Sequence, residues 1–345
     1  MYSESDLNAA VEAGVLSPQA VTAFRDHVAA SRATPTVDEE HFRLLTGFND
    51  IFVSIAAVLI LVASSWIGGS VHPVLGGMAV AAASWGLAEY FTRERRMALP
   101  SILLLLGFVG GVFAALTAAM MQFLPDAGDQ TGGFVMAGVA LLTAGAAWLH
   151  WRRFMVPITV AAGALALVGV GVALAMAFLP GVREMIWPIT LAGGVLVFAV
   201  AMAWDMSDLE RRTRRADVAF WLHLAAAPLI AHSIFQMLGV FDGSMVPGMA
   251  VVVLALYVAF AVLALAIDRR ALLVSSLAYV LYALYDLFNR AGAVELSAAF
   301  TALVIGSALL MLSAFWHPMR RAVIGRLGDL ARRLPPVQQH AVAAA

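Results

Sequence analysis

Cysteine is absent from the 345-residue chain. Its absence excludes disulfides, thiolate metal sites, iron–sulfur clusters and cysteine nucleophiles together. Lysine is absent as well, so all 21 basic residues are arginine. Without an ammonium group there is no P-loop, no Schiff-base lysine and no Ser–Lys dyad. Charge of either sign is scarce: 12% of residues are charged, 62% are hydrophobic and mean hydropathy is +0.88, against about a quarter charged in an ordinary soluble domain. The sequence also lacks G-x-S-x-G, H-E-x-x-H and any acidic pair with metal spacing inside an apolar run. No enzymatic activity, cofactor or metal is therefore expected, and a net charge of −1 points to no nucleic-acid partner.

What the chain has instead is long uncharged runs. Ten of them reach about 20 residues, the length that crosses a bilayer core at 1.5 Å per residue. They lie near 48–67, 73–92, 99–123, 133–151, 155–178, 186–204, 217–239, 247–267, 271–289 and 295–316. Gly68-Gly69, Pro125, Pro180-Gly181, Asp242-Gly243 and Pro247 punctuate the short connections. The expected fold is an all-α integral membrane protein with about ten transmembrane helices spanning residues 47–317. Nineteen of the 21 arginines fall before span 1 or after spans 2, 4, 6, 8 and 10, and only Arg183 and Arg290 fall on the other side. By the positive-inside rule both termini are cytoplasmic. Trp66, Trp148, Trp151, Trp187, Trp204, Trp221 and Trp316 lie near span ends, as interfacial tryptophans do. Arginine pairs recur at 95/96, 152/153, 214/215, 269/270 and 320/321. That spacing fits a repeated hairpin, and it equally fits the charge rule acting on any series of short-looped spans.

The flanks are short. Residues 1–46 read as a cytoplasmic helical hairpin and linker helix, with stop and start signals at Gly14 and Ser17-Pro18 and a capping box from Thr36 to Glu39. No secretory signal precedes it. Two helices this short bury little core, so residues 1–31 are expected to dock on the spans, on a second copy or on a cytoplasmic protein. Residues 318–345 read as an interfacial helix with an apolar stripe of Val323, Leu327, Leu330 and Leu334, its arginines facing anionic headgroups of the lipid bilayer, followed by a tail.

Two spans carry most of the polar side chains, and polar groups inside hydrocarbon are the first place to look for function. Span 7 holds His223, Pro228, His232 and Gln236. At 100° per residue His223 and His232 lie on opposite faces, so they cannot jointly hold one ion. Span 9 holds Ser275, Tyr279, Tyr282, Asp286 and Asn289 on one face. Counted from the span starts, His232 and Asp286 lie at similar depth, ~22 and ~21 Å. If the two spans pack, a His232–Asp286 pair can carry a proton or bind a cation. The competing readings are an Asp286–Arg290 ion pair, histidines that serve packing, and tyrosines that form an interhelical seam. Glu89 is expected to pair with Arg93, and Gly107, Gly110, Gly111, Gly193 and Gly194 to permit close helix approach.

Three segments, DEEHFRLLTGFNDIF at 38–52, DVAFWLHLAAAPLIAH at 217–232 and DRRALLVSSLAYVLYAL at 268–284, resemble an uncharacterised family of bacterial multi-pass membrane proteins. The opening DLNAAVEAGVLSPQAV resembles the helical hairpin that precedes such membrane domains. The resemblance implies a bacterial inner-membrane location and assigns no active residue. Two function classes follow: a transporter or permease-like protein, proton-coupled through spans 7 and 9 and carrying a small solute, or a non-transporting scaffold or sensor whose hairpin binds a partner.

Overall fold

The apolar runs fold as helices, and the computed structural model contains no strand among the described residues, which are 10–24, 48–179, 181, 185–209, 211, 213–240, 247–290 and 296–335. In chain order the long helices are α1 (Phe48–Val71), α2 (Pro73–Ala88, continued by a π-helical turn at Glu89–Glu94), α3 (Ala98–Phe123), α4 (Asp129–Phe154), α5 (Ile158–Phe178), α6 (Ile186–Met206), α7 (Arg214–Met237), α8 (Pro247–Ile267), α9 (Ala271–Arg290) and α10 (Ser297–Ala314). They coincide with the ten expected runs. Eight are long and apolar enough to cross a membrane, while the described parts of α8 and α9 form shorter apolar helices at Val251–Ile267 and Ala271–Asp286. The chain is thus a multi-pass membrane protein, with large apolar side chains such as Leu59, Trp66, Leu196 and Leu310 on its outside.

One boundary reading needs correction. Gly68-Gly69 does not end α1, which runs through both to Val71. The break comes at His72, whose side chain caps the first turn of α2, and at Pro73 in the first helical position. Asp50, in the first turn of α1, is buried.

The N-terminal compact unit is Met1–Leu44, and the unit of long helices is Leu45–Ala345. Its helical turn at 10–12 stops at Gly14, where φ is +69° and Val15 N–H donates to the Ala10 carbonyl at 2.9 Å. Ser17 Oγ accepts from Ala20 N–H at 3.1 Å and caps the helix at 18–24. Both turn signals therefore act as read. The capping box at Thr36–Glu39 and the rest of residues 25–47 lie outside the described residues.

In the helical unit the closest packing is between α2 and α3, α4 and α5, and α6 and α7. Each of these pairs, and α8 with α9, is joined by a tight turn holding a non-glycine residue in the left-handed region: Arg96, Met155, Arg211 and Asp268, with φ from 52° to 58°. Four of the five arginine pairs adjoin such a residue, while Arg320-Arg321 lies within the helix Trp316–Ile324. Helix α7 is central: 56% of its apolar stretch is buried, against 11–39% for the other seven candidate spans. It touches α5, α6 and α9, and its Ala225, Ala226, Ala227 and Ala231 are enclosed.

Close approach rests on missing side chains. A Cβ on Gly77 of α2 would stand 2.5 Å from the Ala115 backbone nitrogen of α3, and one on Gly111 would stand 2.7 Å from the Ala81 nitrogen. Gly107, Gly193 and Gly194 are similarly hemmed in, whereas Gly110 has open space and no packing duty. Gly77→Ala should therefore cost about 1–3 kcal/mol through overpacking, and Gly110→Ala should be close to neutral. Thermal unfolding of the two variants in detergent micelles checks the contrast; equal shifts would remove the packing argument.

The expected continuous interfacial helix is interrupted. Helix α11 (Trp316–Ile324) ends at Gly325, and a 3-10 turn (Gly328–Arg333) follows Leu327. Two glycines three residues apart, Gly328 with φ +56°, break the stripe that Val323 and Leu327 begin. The side chains of Leu330, Arg332 and Arg333 lie outside the described residues. Helix α11 instead packs on α8, with Trp316 buried among Ala264, Leu265 and Leu273.

Candidate functional site

The most deeply enclosed charges sit where α6 ends and α7 and α9 begin. Asp205, one residue before the end of α6, is 2% exposed. Its Oδ2 stands 2.8 Å from Nε2 of His223 on α7. Arg269, 3% exposed, donates from Nη2 to Oδ1 at 2.6 Å and from Nε to Oδ2 at 3.3 Å. A carboxylate only accepts, so His223 Nε2 must carry a proton, and in the neutral ring Nδ1 is then a bare acceptor. That Nδ1 is buried without a hydrogen-bond partner. Arg269 also donates to the Ala216 carbonyl at 3.2 Å, tying the start of α7 to the start of α9.

A second buried carboxylate adjoins the first cluster. Asp268 follows α8 in the left-handed conformation, φ 58°, while Arg269 N–H closes the helix end on the Ala264 carbonyl at 3.0 Å. Glycine usually holds this position, and aspartate tolerates it better than most residues. Arg211 Nη1 donates to Asp268 Oδ2 at 2.9 Å, and Nη2 donates to the carbonyls of Ile267 and Asp268 at 3.2 Å each. Cationic donors suit the negative end of a helix. Burial first, and then the charge of Arg269, lower the proton affinity of Arg211 below its usual value. Trp316 Nε1 donates to Asp268 Oδ1 at 2.9 Å, Arg320 Nε stands 3.4 Å from the same oxygen, and Arg320 Nη2 reaches the Pro335 carbonyl at 2.6 Å. Trp316 is thus no interfacial anchor, and Arg211, Arg269 and Arg320 face protein rather than headgroups. Trp316→Phe keeps the ring and removes the donor, so it should cost about 1.5–3 kcal/mol, the range for a hydrogen bond to a charged group. A melting temperature in micelles equal to wild type would contradict this.

Of the residues expected to meet on α7 and α9, the structure brings His232 and Tyr279 together. His232 Nδ1 is hydrogen-bonded to the Tyr279 hydroxyl rather than to Asp286. Asp286 lies seven residues beyond Tyr279, ~10 Å along the axis. The depth match failed because it placed the starts of α7 and α9 at one level, whereas the His232–Tyr279 contact shows the two helices offset along their axes. Tyr279 stacks on Phe235 with ring centroids 4.2 Å apart, and Trp187 of α6 meets His232 edge-on at 5.0 Å. His232, Tyr279, Thr190, Ser275, Pro228, Leu229 and Ala278 line a cavity of about 470 Å³ between α6, α7 and α9.

The other expected residues scatter. Gln236 is half-buried one turn past His232, Tyr282 packs against the α7–α10 core, and Asp286 and Asn289 are half-buried further along α9. The Arg290 side chain, and with it the proposed Asp286–Arg290 pair, lies outside the described residues. His223 joins the ionic cluster on the opposite face, as the 100° count required.

Three further groups escaped the sequence reading. Glu89 pairs with Arg93 at 3.3 Å as expected, and it also accepts from Nε and Nη2 of Arg153 at 2.7 Å each, which bridges α2 to α4. His150 of α4 is fully buried among Trp85, Phe108 and Phe154, with Nδ1 3.4 Å from Thr159 Oγ1. Asp205 was hidden as a boundary residue; the only cue was an acid at the arginine-rich end of a span. Among the described residues, no group of three or more His, Asp or Glu stands close enough to hold a metal ion. No protein-family model, curated protein or solved structure matches the chain.

Proposed function

We propose that the protein is a ten-span bacterial inner-membrane protein, with both termini cytoplasmic, that binds and moves a small polar solute through the cavity between α6, α7 and α9. The observation that carries this reading is the His232–Tyr279 pair on a cavity that also gathers Thr190 and Ser275. Small-molecule sites are concave and largely apolar, with a few convergent polar groups, and this cavity has that make-up. Pro228 on its wall cannot donate to the carbonyl four residues earlier, which leaves a further acceptor on α7. Proton coupling is assigned to His232, whose two ring nitrogens let one side chain both donate and accept a hydrogen bond. The buried Asp205–Arg269 cluster holds the α6–α7 and α8–α9 hairpins in register around the cavity.

Uptake into proteoliposomes under an imposed pH gradient, across a panel of small polar solutes, tests the reading. A solute accumulated by wild type and not by His232→Ala supports it. Uptake indifferent to His232 for every transported solute, or no uptake at all, sinks it. The alternative of a non-transporting scaffold or sensor draws support from Val15, 75% exposed on the turn of the N-terminal hairpin, as a contact for a cytoplasmic partner or a second copy. Deleting residues 1–31 should then abolish partner capture while leaving the spans folded.

A further inference from the structure

A second concavity, separate from the His232 cavity, runs between α4, α5 and α6. It encloses about 720 Å³, within the ~300–1,000 Å³ of small-molecule sites. Along α6 its lining extends from Ile189 to Trp204, ~22 Å at helical rise, which exceeds the ~15 Å of one leaflet in a ~30 Å core. Glycines recess its floor: a Cβ on Gly171 of α5 would meet nothing within 4 Å, so open space lies directly over it. Thr159 is the one hydroxyl in a lining otherwise built from aliphatic side chains, glycine and tryptophan.

The two ends differ. Trp148 and Trp151 near the end of α4 and Trp204 near the end of α6 cluster at one end, beside the start of α5. At that end the Arg152 guanidinium lies over the Trp148 ring, 5.2 Å from its centroid. Its neighbour Arg153 is engaged by Glu89, whereas the Arg152 side chain is exposed. All three helices are candidate membrane spans, so the groove opens to hydrocarbon and offers a polar solute almost no partner. Tryptophan favours the level of the headgroups, and arginine there attracts anionic lipid by about 1 kcal/mol.

We propose that this groove holds one acyl chain of an anionic phospholipid, its phosphate paired with Arg152 and its glycerol region beside Trp148, Trp151 and Trp204. The site is independent of solute movement and stands whether or not the His232 cavity carries anything.

The test uses full-length protein, delipidated in detergent and titrated with phosphatidylglycerol or phosphatidylcholine under native mass spectrometry. Wild type should bind one phosphatidylglycerol about fivefold more tightly than phosphatidylcholine, the ratio that one arginine contributes. Arg152→Gln should erase that preference and keep chain binding. Gly171→Phe, which fills open space, should weaken both lipids about tenfold or more at an unchanged melting temperature, and Gly171→Leu serves the same purpose if the larger ring prevents folding. Equal binding of the two lipids by wild type, or lipid binding untouched by both Gly171 variants, overturns the proposal. So does a protein dimer dissociated by Gly171→Phe in place of a lipid adduct, since the groove would then belong to a second copy.

Discussion

Arg269→Ala lowers the stability of the protein by about 3–5 kcal/mol, the cost of leaving one partner of a buried ion pair uncompensated. The expectation rests on Asp205, which is almost wholly enclosed and accepts from two atoms of Arg269 and one of His223. Removing the guanidinium leaves the carboxylate with a single donor and also strips the Ala216 carbonyl of its contact. Asp205→Ala should cost a comparable amount, because it strands Arg269 instead. The decisive comparison is the pair together. Asp205→Ala with Arg269→Ala removes both charges, so its cost should fall short of the summed single costs by more than 1 kcal/mol, a coupling in the range for contacting residues. Thermal or denaturant unfolding in one detergent measures all three. Strict additivity would mean that the two side chains do not depend on each other.

The second large effect is on transport. Tyr279→Phe keeps the stack on Phe235 and removes only the hydroxyl that holds His232. Freed from that bond, the imidazole loses its fixed tautomer and orientation in the cavity. A hydrogen bond of about 1–1.5 kcal/mol corresponds to about a tenfold loss, so uptake should fall roughly that far, with a loss of stability no larger than that one bond. His232→Ala should abolish proton-driven uptake, having lost the imidazole altogether. Asp286→Asn should have a smaller effect than either, since His232 is bonded to Tyr279. If Asp286→Asn abolishes uptake and Tyr279→Phe leaves it intact, the polar site lies further out along α9 than the cavity does.

The helices were legible because about 20 uncharged residues bounded by arginine and tryptophan admit few other folds. Every apolar run became a helix, and the turn at Gly14 and the cap at Ser17 were readable from local chemistry alone. The hairpin repeat was half-legible: the arginine pairs marked it, but the left-handed residues Arg96, Met155, Arg211 and Asp268 carry no glycine to announce them.

The site was harder to read, for a physical reason. Positive-inside counting treats every arginine at a span end as solvated, whereas Arg211, Arg269 and Arg320 turn inward onto Asp205 and Asp268. Sequence spacing fixes which face of its own helix a residue occupies, and it separated His223 from His232 correctly. It does not fix how far one helix slides along another. That slide brought Tyr279, not Asp286, to His232, and it follows from contacts such as Trp187 on His232 that no pattern within a single helix contains.

The absence of cysteine makes one measurement especially clean. Ser275 lines the α6–α7–α9 cavity, while Val274 beside it on α9 is 65% exposed on the outside of the bundle. Ser275→Cys and Val274→Cys each introduce the only thiol in the chain. A hydrophilic, membrane-impermeant thiol reagent applied to reconstituted protein should modify Ser275→Cys and leave Val274→Cys unreacted in hydrocarbon. A Ser275→Cys thiol as inert as that of Val274→Cys would mean that the cavity holds no water, and the proposed solute site would be contradicted.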